Sequence, residues 1–242
     1  MVGAGTLLNV IAIVAGGAIG SLIGHKFSHS LRTLTTDILG LITGLSAALS
    51  VAAIASPVLI DAIGSTWPIF VVLFALLLGG FIGSILKFED RLESLGESLK
   101  RKVSTQESNF VIGFVTASLV FCIGPLAIMG AFDDAMGLGI DKLILKSTLD
   151  FFASIAFAAS FGWGVTFSAI SVGLYQALFT AIGFALGNVW NDVQVTALTV
   201  VGGLLLFGIS MKLLNIKHIA IGNLIPALFI APYAVLFAQM FV

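Results

Sequence analysis

Long apolar runs alternate with short polar gaps from one end of the chain to the other. A helix needs about 20 apolar residues to cross about 30 Å of hydrocarbon. Eight runs reach that length, roughly 2–24, 34–56, 67–87, 109–130, 141–161, 164–187, 193–213 and 218–240. Strands of an outer-membrane barrel would be about 10 residues long and alternate in polarity. These runs are too long and too uniformly apolar for that. The pattern predicts an all-α, polytopic membrane protein with one transmembrane domain over 1–242. The gap at 88–106 has a different character, with charges of both signs and Phe88, Leu92, Leu95 and Leu99 on one helical face. It reads as an amphipathic helix lying on the inner membrane surface.

Composition sharpens this picture. Hydrophobic residues make up 59% of the chain and charged ones 10%, with a mean hydropathy of +1.15. No soluble core needs so much apolar sequence, so the bilayer is the solvent and an expected partner. Abundant glycine suits close helix approach in lipid. The first run begins next to Met1 without a basic leader and contains Asn9, which favours a mature span over a cleaved signal. A single cysteine, Cys122, excludes an internal disulfide framework. The net charge of −1, with no basic cluster larger than Lys100-Arg101-Lys102, offers no nucleic-acid surface.

The gaps alternate in charge. The first holds Lys26 and Arg32, the third Arg91, Lys100, Arg101 and Lys102 next to Lys87, and the seventh Lys212 and Lys217. The second holds Asp61, the fourth Asp133 and Asp134, the sixth Asp192, and the fifth is the tight Gly162-Trp163-Gly164 turn. Basic gaps belong in the cytoplasm. Both termini then face outward, which an even number of spans satisfies. Lys142 and Lys146 break the pattern at the outer end of the fifth run.

Weak internal similarity points to a repeat. Gly16-Gly17-Ala18-Ile19-Gly20-Ser21 resembles Gly79-Gly80-Phe81-Ile82-Gly83-Ser84, and 181–187 is similar. The segment 140–150 aligns with 216–226 and sets Ser147 opposite Asn223. Runs three to five would then be an inverted copy of runs six to eight, as in secondary transporters that bind solute near the midplane. Helix packing alone would also select such glycine spacing.

Few residues in the runs can carry chemistry. Asp150 lies about 13 Å along its helix from Asp141, near the bilayer centre. A carboxylate there is expensive and needs a cavity or a partner. Lys146, four residues earlier on the same face, is the obvious partner. The pair reads either as a cation or proton site or as a buried structural ion pair. Asn9, Gln176 and Asn223 are amides that could bind a polar solute or simply join helices. Asn223 precedes Pro226, and Cys122 precedes Pro125, so both prolines mark helix breaks of the kind that line transporter sites. His25 and His29, four apart, would share a helix face, but without thiolate or carboxylate neighbours they do not predict a metal site. No cofactor is implied. There is no phosphate-binding Gly-rich loop, nucleophile elbow or zinc-protease motif, and no enzyme is expected.

Several spaced motifs carry a family resemblance. They are Gly5-Thr6-Leu-Leu-Asn9, Thr116 through Gly130 with its Phe121-Cys122-Ile-Gly-Pro125 core, Lys146-Ser147-Thr-Leu-Asp150, Phe167-Ser168 followed by Tyr175-Gln176, and Asn223-Leu-Ile-Pro226-Ala. They resemble the YdfK/YqgA-like bacterial inner-membrane proteins over nearly the whole chain. The resemblance implies a multi-pass protein of the bacterial cytoplasmic membrane from a family of unknown function. The chain departs from the expected pattern after Gly130, where Asp133-Asp134-Ala stands in place of an acidic-Gly pair. A secondary transporter or exporter of a small polar solute or ion fits these features. An oligomeric channel, or a structural membrane protein without translocation, fits them as well.

Overall fold

Helix ends in this chain are written in local chemistry. Prolines stand in the first turn of four helices, where the missing amide hydrogen is not needed. Gly137, Gly162 and Gly187, with φ of 72°, 81° and 75°, follow three helices in conformations that other residues resist. Asn191 and Gln194 form a capping box, each side chain bonding the other's backbone amide at 3.0 Å.

A computed structural model describes residues 2–103, 107–187 and 189–241. Among them the chain is helical throughout, in the order α1 (Ala4–Gly24), α2 (His29–Ala52), α3 (Pro57–Ile63), α4 (Trp67–Leu86), α5 (Phe88–Val103), α6 (Phe110–Cys122), α7 (Pro125–Met136), α8 (Asp141–Phe161), α9 (Gly164–Leu186), α10 (Asp192–Leu213) and α11 (Pro226–Ala238). A 3-10 turn, Ile221–Leu224, leads into α11. Among the described residues seven stretches are long and apolar enough to span a membrane, and the α6–α7 pair makes an eighth if read as one broken span. The amphipathic segment is helix α5, and residues 104–106 of the expected 88–106 lie outside the described residues.

Three expectations change. The second apolar stretch runs on to Ile63, because Pro57 starts a new helix instead of a loop. Asp61 therefore sits on α3. The fourth run does not stop at 130. It bends by 62° at the break before Pro125 and continues to Met136, which puts Asp133 and Asp134 on a helix. The bend has a plain cause, since Pro125 has no amide hydrogen to continue the α6 ladder. His25 and His29 do not share a helix face, because a turn separates the end of α1 from the start of α2.

The chain packs as two units, Met1–Leu39 with Leu92–Val189 and Gly40–Arg91 with Trp190–Val242. In the first, α1 lies directly on α8. A methyl on Gly16, Gly20 or Gly24 would collide with the carbonyl oxygens of Phe151, Ile155 and Ala159, so the backbones touch. Phe110, Phe114, Phe157 and Phe179 fill the space around them. In the second unit, α4 meets the start of α11 in the same manner, with Gly79 against the Ala227 amide and Gly83 against the Asn223 carbonyl. Leu59, Ile63, Leu205, Ile209 and Ile221 are fully buried there. Leu41, Leu45, Leu49, Leu77 and Phe81 are exposed along α2 and α4, as lipid-facing residues must be.

Candidate functional site

Inside the first unit, polar side chains from separate helices meet in an otherwise apolar interior. Asn9 of α1 is fully buried because the glycine face of α1 is pressed onto α8. Its Nδ2 donates to Asp150 Oδ2 of α8 at 3.0 Å and to Gln176 Oε1 of α9 at 3.3 Å. Lys146 Nζ donates to the same Asp150 oxygen, an ion pair one turn long. Asp150 is 7% exposed and Lys146 5%. The attraction between them is undiluted by water, and so is the cost of having desolvated them.

The network is not closed. Asn9 Oδ1 and Gln176 Nε2 are buried without a hydrogen-bond partner among the described residues, and so are Ser118 Oγ and Ser154 Oγ. Buried polar atoms rarely stay unpaired, because each costs about 1–3 kcal/mol. The break between α6 and α7 lies beside the network. Before the break Phe121 packs on Phe157, and after it Gly130 lies against Leu143, on either side of Lys146 and Asp150 along α8; Cys122 ends α6. Pro125 opens α7 just beyond. Ser147 turns its hydroxyl away, donating to the Leu143 carbonyl at 2.6 Å. It serves the α8 backbone.

Asn223 belongs to the second unit and has its own partners. Its Oδ1 accepts from the Glu89 amide at 3.0 Å, while Glu89 Oε2 accepts from the Gly222 amide at 2.5 Å. Lys212 Nζ stands 3.9 Å from the other Glu89 oxygen. Glu89, at the start of α5, thus satisfies the backbone that Pro226 leaves unwound ahead of α11. Sequence reasoning passed over Glu89, which looks like any other acid on an amphipathic helix.

Asp134 was also missed as a partner. It is buried, and its two oxygens accept from the Gly3 and Gly5 amides at 3.2 and 2.9 Å. A carboxylate from α7 therefore caps the positive end of α1. Beside it Asp133 pairs with Lys142 at 2.5 Å. Both lysines that break the charge alternation, Lys142 and Lys146, are thus neutralised by an aspartate. A paired lysine no longer carries a net charge to orient. Among the described residues no cluster of histidine, cysteine or carboxylate could hold a metal ion.

Stacked apolar helices with exposed leucine faces and polar residues turned inward define a multi-pass α-helical membrane protein. The chain belongs to the family described as "Protein of unknown function (DUF554)", whose model matches residues 4–236. It is similar to "Uncharacterized membrane protein YdfK" of Bacillus subtilis (strain 168), with 31% identity over 98% of this chain and 97% of that protein. It is also similar to "Uncharacterized protein YqgA" of Escherichia coli (strain K12), with 27% identity over 94% of each. No solved structure matches it.

Proposed function

We propose that this chain is a secondary transporter or exporter of a small polar solute or ion, with Asn9, Lys146, Asp150 and Gln176 as its site. The observation that carries this reading is the unclosed polar network next to the α6–α7 break. A buried ion pair adds little stability compared with apolar residues of the same size. A lysine and an aspartate in the middle of a span are therefore more than packing. Unwound or bent spans beside polar residues are where transporters bind solute. A purely structural pair would leave its neighbouring amides satisfied.

The inverted repeat belongs to the same proposal. Its two triplets would be α4, α6–α7 and α8 against α9, α10 and α11. Packing supports a reciprocal exchange: α4 packs on α10 and α11, while α9 packs on α6, α7 and α8. The charge alternation favours the bacterial cytoplasmic membrane with both termini outside. In single-cysteine variants, impermeant maleimide should reach position 61 from outside, and position 217 only after permeabilisation. A cytoplasmic C-terminus would overturn this topology.

The functional test uses everted vesicles loaded with a pH-sensitive dye. Sodium, potassium, acetate, methylammonium and glycine are each added to the wild type and to Asp150→Asn. At least one should move protons or charge through the wild type, and Asp150→Asn should lose that coupling while still inserting. A wild type inert to the whole panel, or an Asp150→Asn protein with unchanged coupling, would refute the proposal.

A further inference from the structure

Two donors crowd onto one acceptor at the centre of the first unit. Lys146 Nζ and Asn9 Nδ2 both donate to Asp150 Oδ2. The carboxylate also sets which way the amides face. Asn9 must turn its NH2 group toward the negative oxygen, and that group reaches on to Gln176 Oε1 at 3.3 Å. Gln176 is thereby made to point its own NH2 group away, and Nε2 is left buried with no partner among the described residues. Ser154, one turn beyond Asp150 on α8, is fully buried, and its Oγ is unpaired in the same way. It faces α1, since a methyl on Gly16 would lie 3.1 Å from its Cβ. Lys146, Asn9, Gln176 and Ser154 thus all bring hydrogen-bond donors, and the one negative charge among them is Asp150.

No other charge competes there. Helices α1, α6, α7 and α9 pack on α8. α1 carries no titratable side chain, α6 only Cys122, and α9 only Tyr175. Thiol and phenol are ordinarily neutral below about pH 8. On α7, Asp133 is paired with Lys142, and Asp134 is bonded to the Gly3 and Gly5 amides. Asp141 and Lys142 lie in the first turn of α8. The site also has a way in. Thr6 is one turn from Asn9 on α1, and Thr180 one turn from Gln176 on α9. Their hydroxyls are 3.4 Å apart and line an open cleft of about 470 Å³ at the start of α1.

We infer that the site proposed above, on which this inference rests, takes a small anion together with a proton. The proton forms an O–H bond at Asp150 and removes its charge. Lys146 is then an unpaired ammonium in an apolar interior, which is costly. A bound anion replaces the lost partner, held by Lys146 Nζ, Asn9 Nδ2 and the unused Gln176 Nε2. The network is neutral before and after. A metal cation in place of the proton would share Asp150 with an ammonium and leave the interior with a net positive charge.

The test uses the purified full chain with tetramethylammonium chloride, nitrate or formate, gluconate holding the ionic strength constant. The baseline is Lys146→Met with Asp150→Leu, which lacks both charges. At least one anion should raise the wild-type unfolding temperature saturably above that baseline. Between about pH 8 and about pH 5 the half-saturating concentration should fall, by up to about tenfold per pH unit, because each anion brings one proton. Asp150→Asn, uncharged from the start, should bind that anion at about pH 8 about tenfold more tightly than the wild type. The inference is overturned if no anion binds, if acid does not tighten binding, or if Asp150→Asn binds no tighter. The wild-type pH dependence needs no variant, so a poorly folding Asp150→Asn does not spare it. Movement of sodium, methylammonium or glycine in vesicles with no anion bound would end this inference and leave the transport reading. Anion binding that tightens with acid in a chain that moves nothing would do the reverse.

Discussion

The two packing units use the same devices and put them to different ends. In each, a glycine face lies on the backbone of a partner helix, α1 on α8 and α4 on the start of α11. In each, a proline opens a helix after a break, Pro125 in one and Pro226 in the other. In the second unit the break is stapled, since Glu89 and Asn223 exchange bonds with the flanking backbone and hold the unwound turn. In the first unit the break faces an ion pair and amides with unused hydrogen-bonding capacity. A break whose backbone is satisfied by a side chain is a fixed corner. A break beside incompletely satisfied polar atoms is a place for something to bind. For the proposed transport function, this contrast favours the first unit as the site and gives Asn223 a supporting role.

The largest test separates pairing from function. Lys146→Met strands the Asp150 carboxylate and should cost about 3–5 kcal/mol. It should lower the yield of inserted protein and the unfolding temperature in detergent. Adding Asp150→Leu should restore most of that loss. If transport survives in the stable double variant, the network is no more than a structural contact and the two units no longer differ in kind.

A middle-sized effect should be shared by both units. Gly20→Ala sets a methyl against the Ile155 carbonyl, and Gly83→Ala sets one against the Asn223 carbonyl. Each should cost about 1–3 kcal/mol, because neither partner is a side chain that can turn aside. Denaturant titration of the solubilised protein measures both. A neutral result at only one position would show that the two helix pairs are held differently.

The smallest effect compares the two caps. Glu89→Ala removes the acceptor for the Gly222 amide, and Asp134→Ala removes that for the Gly3 and Gly5 amides. Each should cost about 1–2 kcal/mol. Glu89→Gln and Asp134→Asn keep an acceptor oxygen and should cost less. Hydrogen exchange at Gly222 and Gly5 should speed up only in the variant that lacks the matching cap.

Much of this could be read along the chain. Span positions follow from apolar length, which has no competing explanation at 20 residues, and the helices start and stop close to the expected places. The Lys146–Asp150 pair follows from i,i+4 spacing on one helix. The extension past Gly130 was missed because two aspartates after an apolar run look like a loop. Asp134 is in fact a buried cap for a helix about 130 residues earlier, a role that depends on where α7 returns in space.

The sequence by itself determined the class of protein, the places of most of its apolar helices and the ion pair within α8, because these rest on length and on a helical repeat that is the same in every protein. Only the tertiary structure decided that Asn9 joins Asp150 and Gln176, and that Glu89 and Asn223 close the second break. Each of these joins residues more than 70 positions apart. No local periodicity encodes such partners, and in lipid all apolar faces are equally soluble. The choice of neighbour falls to glycine contacts and polar bonds that exist only once the helices have met.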